Sequence, residues 1–94
     1  MKLYSLKCKS LKVYNPPFVA ADDGAAVTLI RESIRKGSDA GLVINAEDLE
    51  LFYLGAFDSK EGIKNPRPKK ITDIISIPGI LEAIQSVKEV TDDL

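Results

Sequence analysis

Glu47, Asp48 and Glu50 are the densest carboxylate group in this 94-residue chain, and they are the first place to look for chemistry. On an extended backbone Asp48 and Glu50 share one side, about 7 Å apart at a strand's rise. Paired acids at such a spacing do acid-base work or hold magnesium. Neither a phosphate-cradling loop nor a basic catalytic partner accompanies them, and the plain alternative is a capping turn at the solvated entry to a strand. Asp22-Asp23-Gly24 opens like a calcium loop, but Ala25, Ala26 and Val27 stand where further oxygen ligands are needed, so a helix cap is expected instead. The chain has no histidine, which removes the commonest general base and metal ligand. Cys8 is the lone cysteine, so an intramolecular disulfide is excluded and the thiol reads as a small core residue in a reducing compartment. No cofactor, no metal and no enzymatic activity are expected.

Polyanion binding is the other chemistry the residue types allow. The net charge of −1 hides blocks of opposite sign. Residues 1–21 carry Lys2, Lys7, Lys9 and Lys12 with no acid, and residues 60–70 carry Lys60, Lys64, Arg67, Lys69 and Lys70 against Glu61. Residues 38–58 hold five acids and no base. Side by side, the two basic blocks would neutralise several phosphates, with Tyr4 or Tyr14 available to stack on bases. Lysines on an edge hairpin also protect it from edge-to-edge aggregation, which is the competing reading.

Those side chains must be positioned by a small α+β fold: an antiparallel sheet of three to four strands packed by one helix, with an additional C-terminal helix. The central strand is read from the apolar run ending at Asp58. Period two puts Leu49, Leu51, Tyr53 and Phe57 on one side and Glu50, Phe52, Leu54 and Ala56 on the other. Both sides are apolar, so a cover is expected on each face. Lys2 to Cys8 alternates as a strand with Tyr4, Leu6 and Cys8 together, Lys9-Ser10 turns it, and Leu11 to Tyr14 returns until Pro16-Pro17 ends the ladder. A helix is predicted over residues 23–36, with Ala26, Val27, Ile30 and Ile34 as its buried stripe and Gly37 as its stop. Leu42-Val43-Ile44 is too short for its period to decide. Asp58 to Gly62 reads as a hairpin turn leading into an edge strand at Ile63-Lys64.

Three stretches are expected: residues 1–64 as sheet plus helix, residues 65–78 as a basic Pro-containing arm, and residues 79–94 as an amphipathic helix. That last helix, with Ile80, Leu81, Ile84, Val87 and Val90 near one side and Glu82, Lys88 and Glu89 facing water, is available to cover the second sheet face in its own subunit or in a partner's. The N-terminal residues lack the continuous apolar segment of a signal peptide or membrane helix, so a cytoplasmic protein with no membrane contact is expected.

Several fragments occur in a telling order: Met1-Lys2-Leu3-Tyr4-Ser5, Pro16-Pro17-Phe18 with Ala20, Glu47-Asp48 with Leu51 and Tyr53, and Leu54-Gly55-Ala56-Phe57-Asp58 closed by Gly62. Over about residues 1–64 the set resembles the small nonstructural protein of gokushovirus-type microviruses, phages with circular single-stranded DNA genomes. The resemblance implies a non-catalytic viral protein of the host cytoplasm that binds DNA and acts in the switch from genome replication to single-strand synthesis and packaging. It supplies no catalytic residues. Asn45-Ala46 stands where the family commonly has His-Pro, and residues 69–94 lie outside the resemblance. Lys2, Lys7, Lys9, Lys12, Tyr14, Lys64, Arg67, Lys69 and Lys70 are the candidate contacts to single-stranded DNA, and a homodimer is expected. The rival is an adaptor that contacts the viral replication initiator or the procapsid without touching DNA. A nuclease built on Glu47, Asp48 and Glu50 is the third.

Overall fold

The computed structural model describes the backbone of residues 1–92 and the side chains of residues 1–88. The fold is α+β, an antiparallel sheet with helices on one side. Strand β1 (Lys2–Cys8) lies beside the long strand β4 (Leu49–Asp58). On its other edge β1 pairs with β2 (Val13–Tyr14) and with β3 (Phe18–Ala20). Beyond β4 lie β5 (Gly62–Lys64) and β6 (Lys69–Asp73). The six strands exceed the three or four expected, because two short pieces, β3 and β6, complete ladders on β1 and β4. Where the two prolines suggested an arm, residues 65–68 are irregular, and the chain joins the sheet directly after Pro68.

Helix α1 (Asp23–Arg35) forms as its sequence predicts. The Asp22 carboxylate accepts from the Ala25 amide at 2.8 Å, satisfying a donor that the first turn leaves unpaired. Ala26, Ile30 and Ile34 are buried, and the helix stops before Gly37, whose φ is +63°. Leu42-Val43-Ile44 belongs to a short helix, α2 (Ala40–Ile44), capped by Asp39. A 3-10 turn at Ala46–Asp48 then leads into β4.

The last helix, α3 (Ile80–Asp92), corrects the two-sided picture. It packs beside α1 on the same side of the sheet: Gly37 approaches Val87, and the Arg31 guanidinium donates to the Pro78 carbonyl at 3.1 Å. Ile80, Ala83 and Ile84 are buried in one core with Ile30, Ile34, Tyr4, Leu51 and Ile74. Burying each such aliphatic side chain contributes roughly 1.5–3 kcal/mol, so pairing the helices on one face concentrates the apolar area in one place. Leu81, expected on the buried side, is 61% exposed, and Ala83 takes its place in the core. Glu89 and Val90 lie outside the described side chains.

Among the described residues the second sheet face therefore carries no helix. One irregularity decides what lies on it. Tyr4 is opposite Tyr53 while Leu3 is opposite Gly55, so Leu54 is an extra residue, a β-bulge. The alternation of β4 reverses there, and Phe57 emerges away from Leu49, Leu51 and Tyr53, 44% exposed. Gly55 is required at the bulge. Its φ is +153°, and a Cβ would stand 3.0 Å from the Lys64 carbonyl oxygen and 3.1 Å from Ile63 Cγ2.

Candidate nucleic-acid interface

Strand pairing brings residues far apart in sequence into two rows across the open face. Tyr14, Lys7, Glu50 and Asp73 lie opposite one another on β2, β1, β4 and β6. Ser5, Phe52 and Lys70 form the adjacent row. Successive strand residues point to opposite sides, so the whole group faces away from the helices.

At its centre the Lys7 ammonium stands 5.1 Å from the ring centroids of both Tyr14 and Phe52, within cation-π range. The two rings meet edge to face at 5.6 Å. Ser5 beneath them is fully buried, and its hydroxyl donates to the Asn15 carbonyl at 2.6 Å, which ties the end of β2 to β1. Tyr14 is 41% exposed and Phe52 half-buried, so together they present an aromatic platform with a cation on it.

Beside the platform lies an ion cluster. Lys70 Nζ is 2.8 Å from Glu50 and 3.0 Å from Asp73 Oδ1, and Lys9 Nζ reaches the same Asp73 oxygen at 2.9 Å. That oxygen is sealed from solvent and is compensated by the two ammonium charges rather than by aligned hydrogen bonds. Lys9 foremost, then Lys70, holds the Asp73 carboxyl below the usual carboxylate range. Glu50, then Asp73, raises the Lys70 ammonium above its ordinary value. Three ammonium groups thus share the face with two carboxylates, a local charge of +1 from Lys7, Lys9 and Lys70 against Glu50 and Asp73.

The candidate contacts divide accordingly. The sheet brings Lys7, Lys9, Tyr14 and Lys70 together. Lys2, opposite Ala20 and Ala56, lies at the far end of β1, and Lys12 sits in the β1–β2 turn with φ +57°. Lys64 is paired with Glu61 at 3.1 Å and Asp58 at 3.5 Å near the other end of the sheet. Arg67 and Lys69 are exposed on the β5–β6 side. Among the described residues no ion pair holds Lys2, Lys7, Lys12, Arg67 or Lys69, whereas Lys9, Lys64 and Lys70 are matched with carboxylates. Tyr4 is not available to a base: it is fully buried, stacks on Phe18 and donates to Asp23 Oδ1 at 2.6 Å. Phe52 was the residue missed. The sign of it was its place two residues from Glu50 in a strand of period two.

The acidic group does other work. Asp48 lies in the 3-10 turn, outside the strand that would have aligned it with Glu50. Its carboxylate accepts from the Cys8 thiol at 2.8 Å, the Ser10 hydroxyl at 2.6 Å and the Ser10 amide at 3.0 Å. These donors, Cys8 first and then Ser10, hold its carboxyl below the usual range and fasten the β1–β2 turn to the entry of β4. Cys8 is accordingly half-buried and hydrogen-bonded rather than a plain core residue. Among the described residues, no group of three or more potential ligands is placed to hold a metal ion, and no helix is long and apolar enough to cross a membrane.

The family model described as phage ORF5 protein matches residues 1–77, and the chain belongs to that family. The match spans the whole sheet, α1 and α2, and stops before α3. No curated protein and no solved structure matches the chain.

Proposed function

We propose that this member of the phage ORF5 protein family binds single-stranded DNA, with little base selectivity, through the open face of its sheet. The observation that carries this is the Lys7 ammonium set between Tyr14 and Phe52 on a face without a helix. Exposed aromatic rings give bases of any identity a stacking surface, and neighbouring cations meet the phosphates. Lys9 and Lys70 contribute as members of the ion cluster, and Lys12 extends the charge along the hairpin. Arg67 and Lys69, with Lys2 and Lys64, lie toward the periphery of such a path. A binder of this kind, non-catalytic and without cofactor, suits a nonstructural protein of a microvirus acting in the host cytoplasm. There it would cover newly made strands as genome replication gives way to single-strand synthesis and packaging.

The test is fluorescence anisotropy with a labelled oligothymidylate over a range of salt. With a local charge of about +1 to +2, the slope of log K against log salt is expected to be shallow, roughly −0.7 to −1.4. Tyr14→Ala should weaken binding by about 1–3 kcal/mol, the worth of one base-aromatic stack. Lys7→Ala should reduce the slope by about 0.7. Loss of neither affinity nor slope in these variants would overturn the assignment.

A second reading is favoured by one observation, the matching of Lys9, Lys64 and Lys70 with carboxylates. A face neutralised in this way suits protein contact, as in an adaptor between the replication initiator and the procapsid. Failure to bind any oligonucleotide at low salt would leave that reading standing and remove the first.

A further inference from the structure

On the helix side of the β1–β2 hairpin lies a groove that the core does not fill. It consists of two adjoining hollows of about 540 and 520 Å³, which share Leu6, Asn15, Asp39 and Leu42 as walls. Its sides leave Leu29 49% and Val13 52% exposed. The charged residues lining it are Asp39 and Asp48, both acidic, and no lysine or arginine lines either hollow. The groove therefore suits an extended segment that is basic and partly apolar.

Such a segment is present on the opposite edge of the same sheet. Residues 61–69 are exposed throughout and include Ile63, Arg67 and Lys69, and among the described residues no ion pair holds Arg67 or Lys69, whereas Lys64 is paired with Asp58 and Glu61. Pro66 and Pro68 fix φ in its middle, which lowers the entropy lost on docking. The segment is tethered between β4 and β6, across the sheet from the groove beside β2, so a chain cannot fill its own groove.

We propose that the occupant is a second copy of this chain: residues 62–69 of one copy lie in the groove of the next, in a head-to-tail contact. Donor and acceptor are different surfaces on opposite edges, so the contact is heterologous and can repeat. Val13 faces the groove and Tyr14, its neighbour on β2, faces the open side. Assembly through the groove thus leaves the Lys7 platform uncovered. The contact does not depend on DNA binding and is tested without nucleic acid.

Sedimentation velocity on the full chain, from roughly 10 μM to 1 mM, reads the mass, a span that covers weak association. The wild type should grow past the dimer as concentration rises. Leu29→Glu puts a charge on an exposed wall of the groove, and the double variant Arg67→Glu, Lys69→Glu reverses the segment. Each alone should remain at the monomer mass, with circular dichroism unchanged. An equal mixture retains one intact segment and one intact groove, so it should double in mass and stop there. A wild type that stays monomeric or stops at two copies, variants that associate like the wild type, or a mixture that stays monomeric would each overturn the proposal.

Discussion

Replacing Asp73 with asparagine should strengthen DNA binding, a direction that few substitutions take. Asp73 Oδ1 draws on both Lys9 and Lys70, at 2.9 and 3.0 Å, and so withholds positive charge from any phosphate that approaches the face. With the carboxylate gone, Lys7, Lys9 and Lys70 stand against Glu50 alone, and the local charge rises from +1 to +2. Each additional phosphate neutralised on a single strand steepens the dependence of log K on log salt by about 0.7, which at 0.1 M salt is about a fivefold gain in affinity. Asparagine keeps an oxygen to accept from the lysines. The ion pairs are partly exposed, so the loss in stability should be small. Anisotropy with an oligothymidylate, read across salt for both proteins, measures the gain and the slope together. Unchanged or weaker binding by a correctly folded Asp73→Asn protein would refute the claim that this face meets the phosphates.

Three further outcomes test the fold that carries the face. Tyr4→Phe removes the hydroxyl that donates to Asp23 at 2.6 Å. The loss should cost about 1.5 kcal/mol and lower Tm by roughly 6–12 °C in a domain of this size, against no shift if that bond is idle. Gly55→Ala places a Cβ against the Lys64 carbonyl at φ +153°. It should cost about 1–3 kcal/mol and abolish hydrogen-exchange protection at the Lys64 amide, which pairs with Ala56 on β4, whereas retained protection would contradict the tight approach of β5. The carboxyls of Asp48, Asp58 and Asp73 are all held below their ordinary values: Asp48 by Cys8 and Ser10, Asp58 by the Lys60 and Glu61 amides, and Asp73 by Lys9 and Lys70. Their contribution to stability is present above the ordinary carboxylate pKa, near ~4, and is lost as pH falls through the lower folded-state values. Thermal melts by circular dichroism should therefore hold steady from neutral pH to about 5 and drop below about 4, and a Tm independent of pH down to about 2 would refute this.

Local signals carried much of the architecture. Asp22, the Ala26-Ile30-Ile34 stripe and Gly37 delimit α1 because capping and amphipathic spacing act within a few residues. Asp58 and Gly62 likewise mark their turn, where the Asp58 carboxylate accepts from the Lys60 and Glu61 amides. What escaped the sequence depends on partners distant along the chain. The bulge at Leu54 exists only in relation to β1, and it alone turns Phe57 outward. β6 has little signal of its own and is a strand because β4 offers it an edge. The side of the sheet chosen by α3 follows from its fit to α1, which an amphipathic stripe does not specify. The basic clusters were visible as charge runs, but the register that sets Lys9 and Lys70 on Glu50 and Asp73 was not. Nor could alternation distinguish Tyr4, buried on Asp23, from Tyr14, open to solvent.

Amide chemical-shift mapping of the labelled protein during titration with an oligothymidylate addresses the open face most directly. The shifts should concentrate at Lys7, Tyr14, Phe52 and Lys70, on β1, β2, β4 and β6, and leave α1 and α3 unmoved. Shifts confined to the helices, or none at low salt, would contradict DNA binding by the sheet.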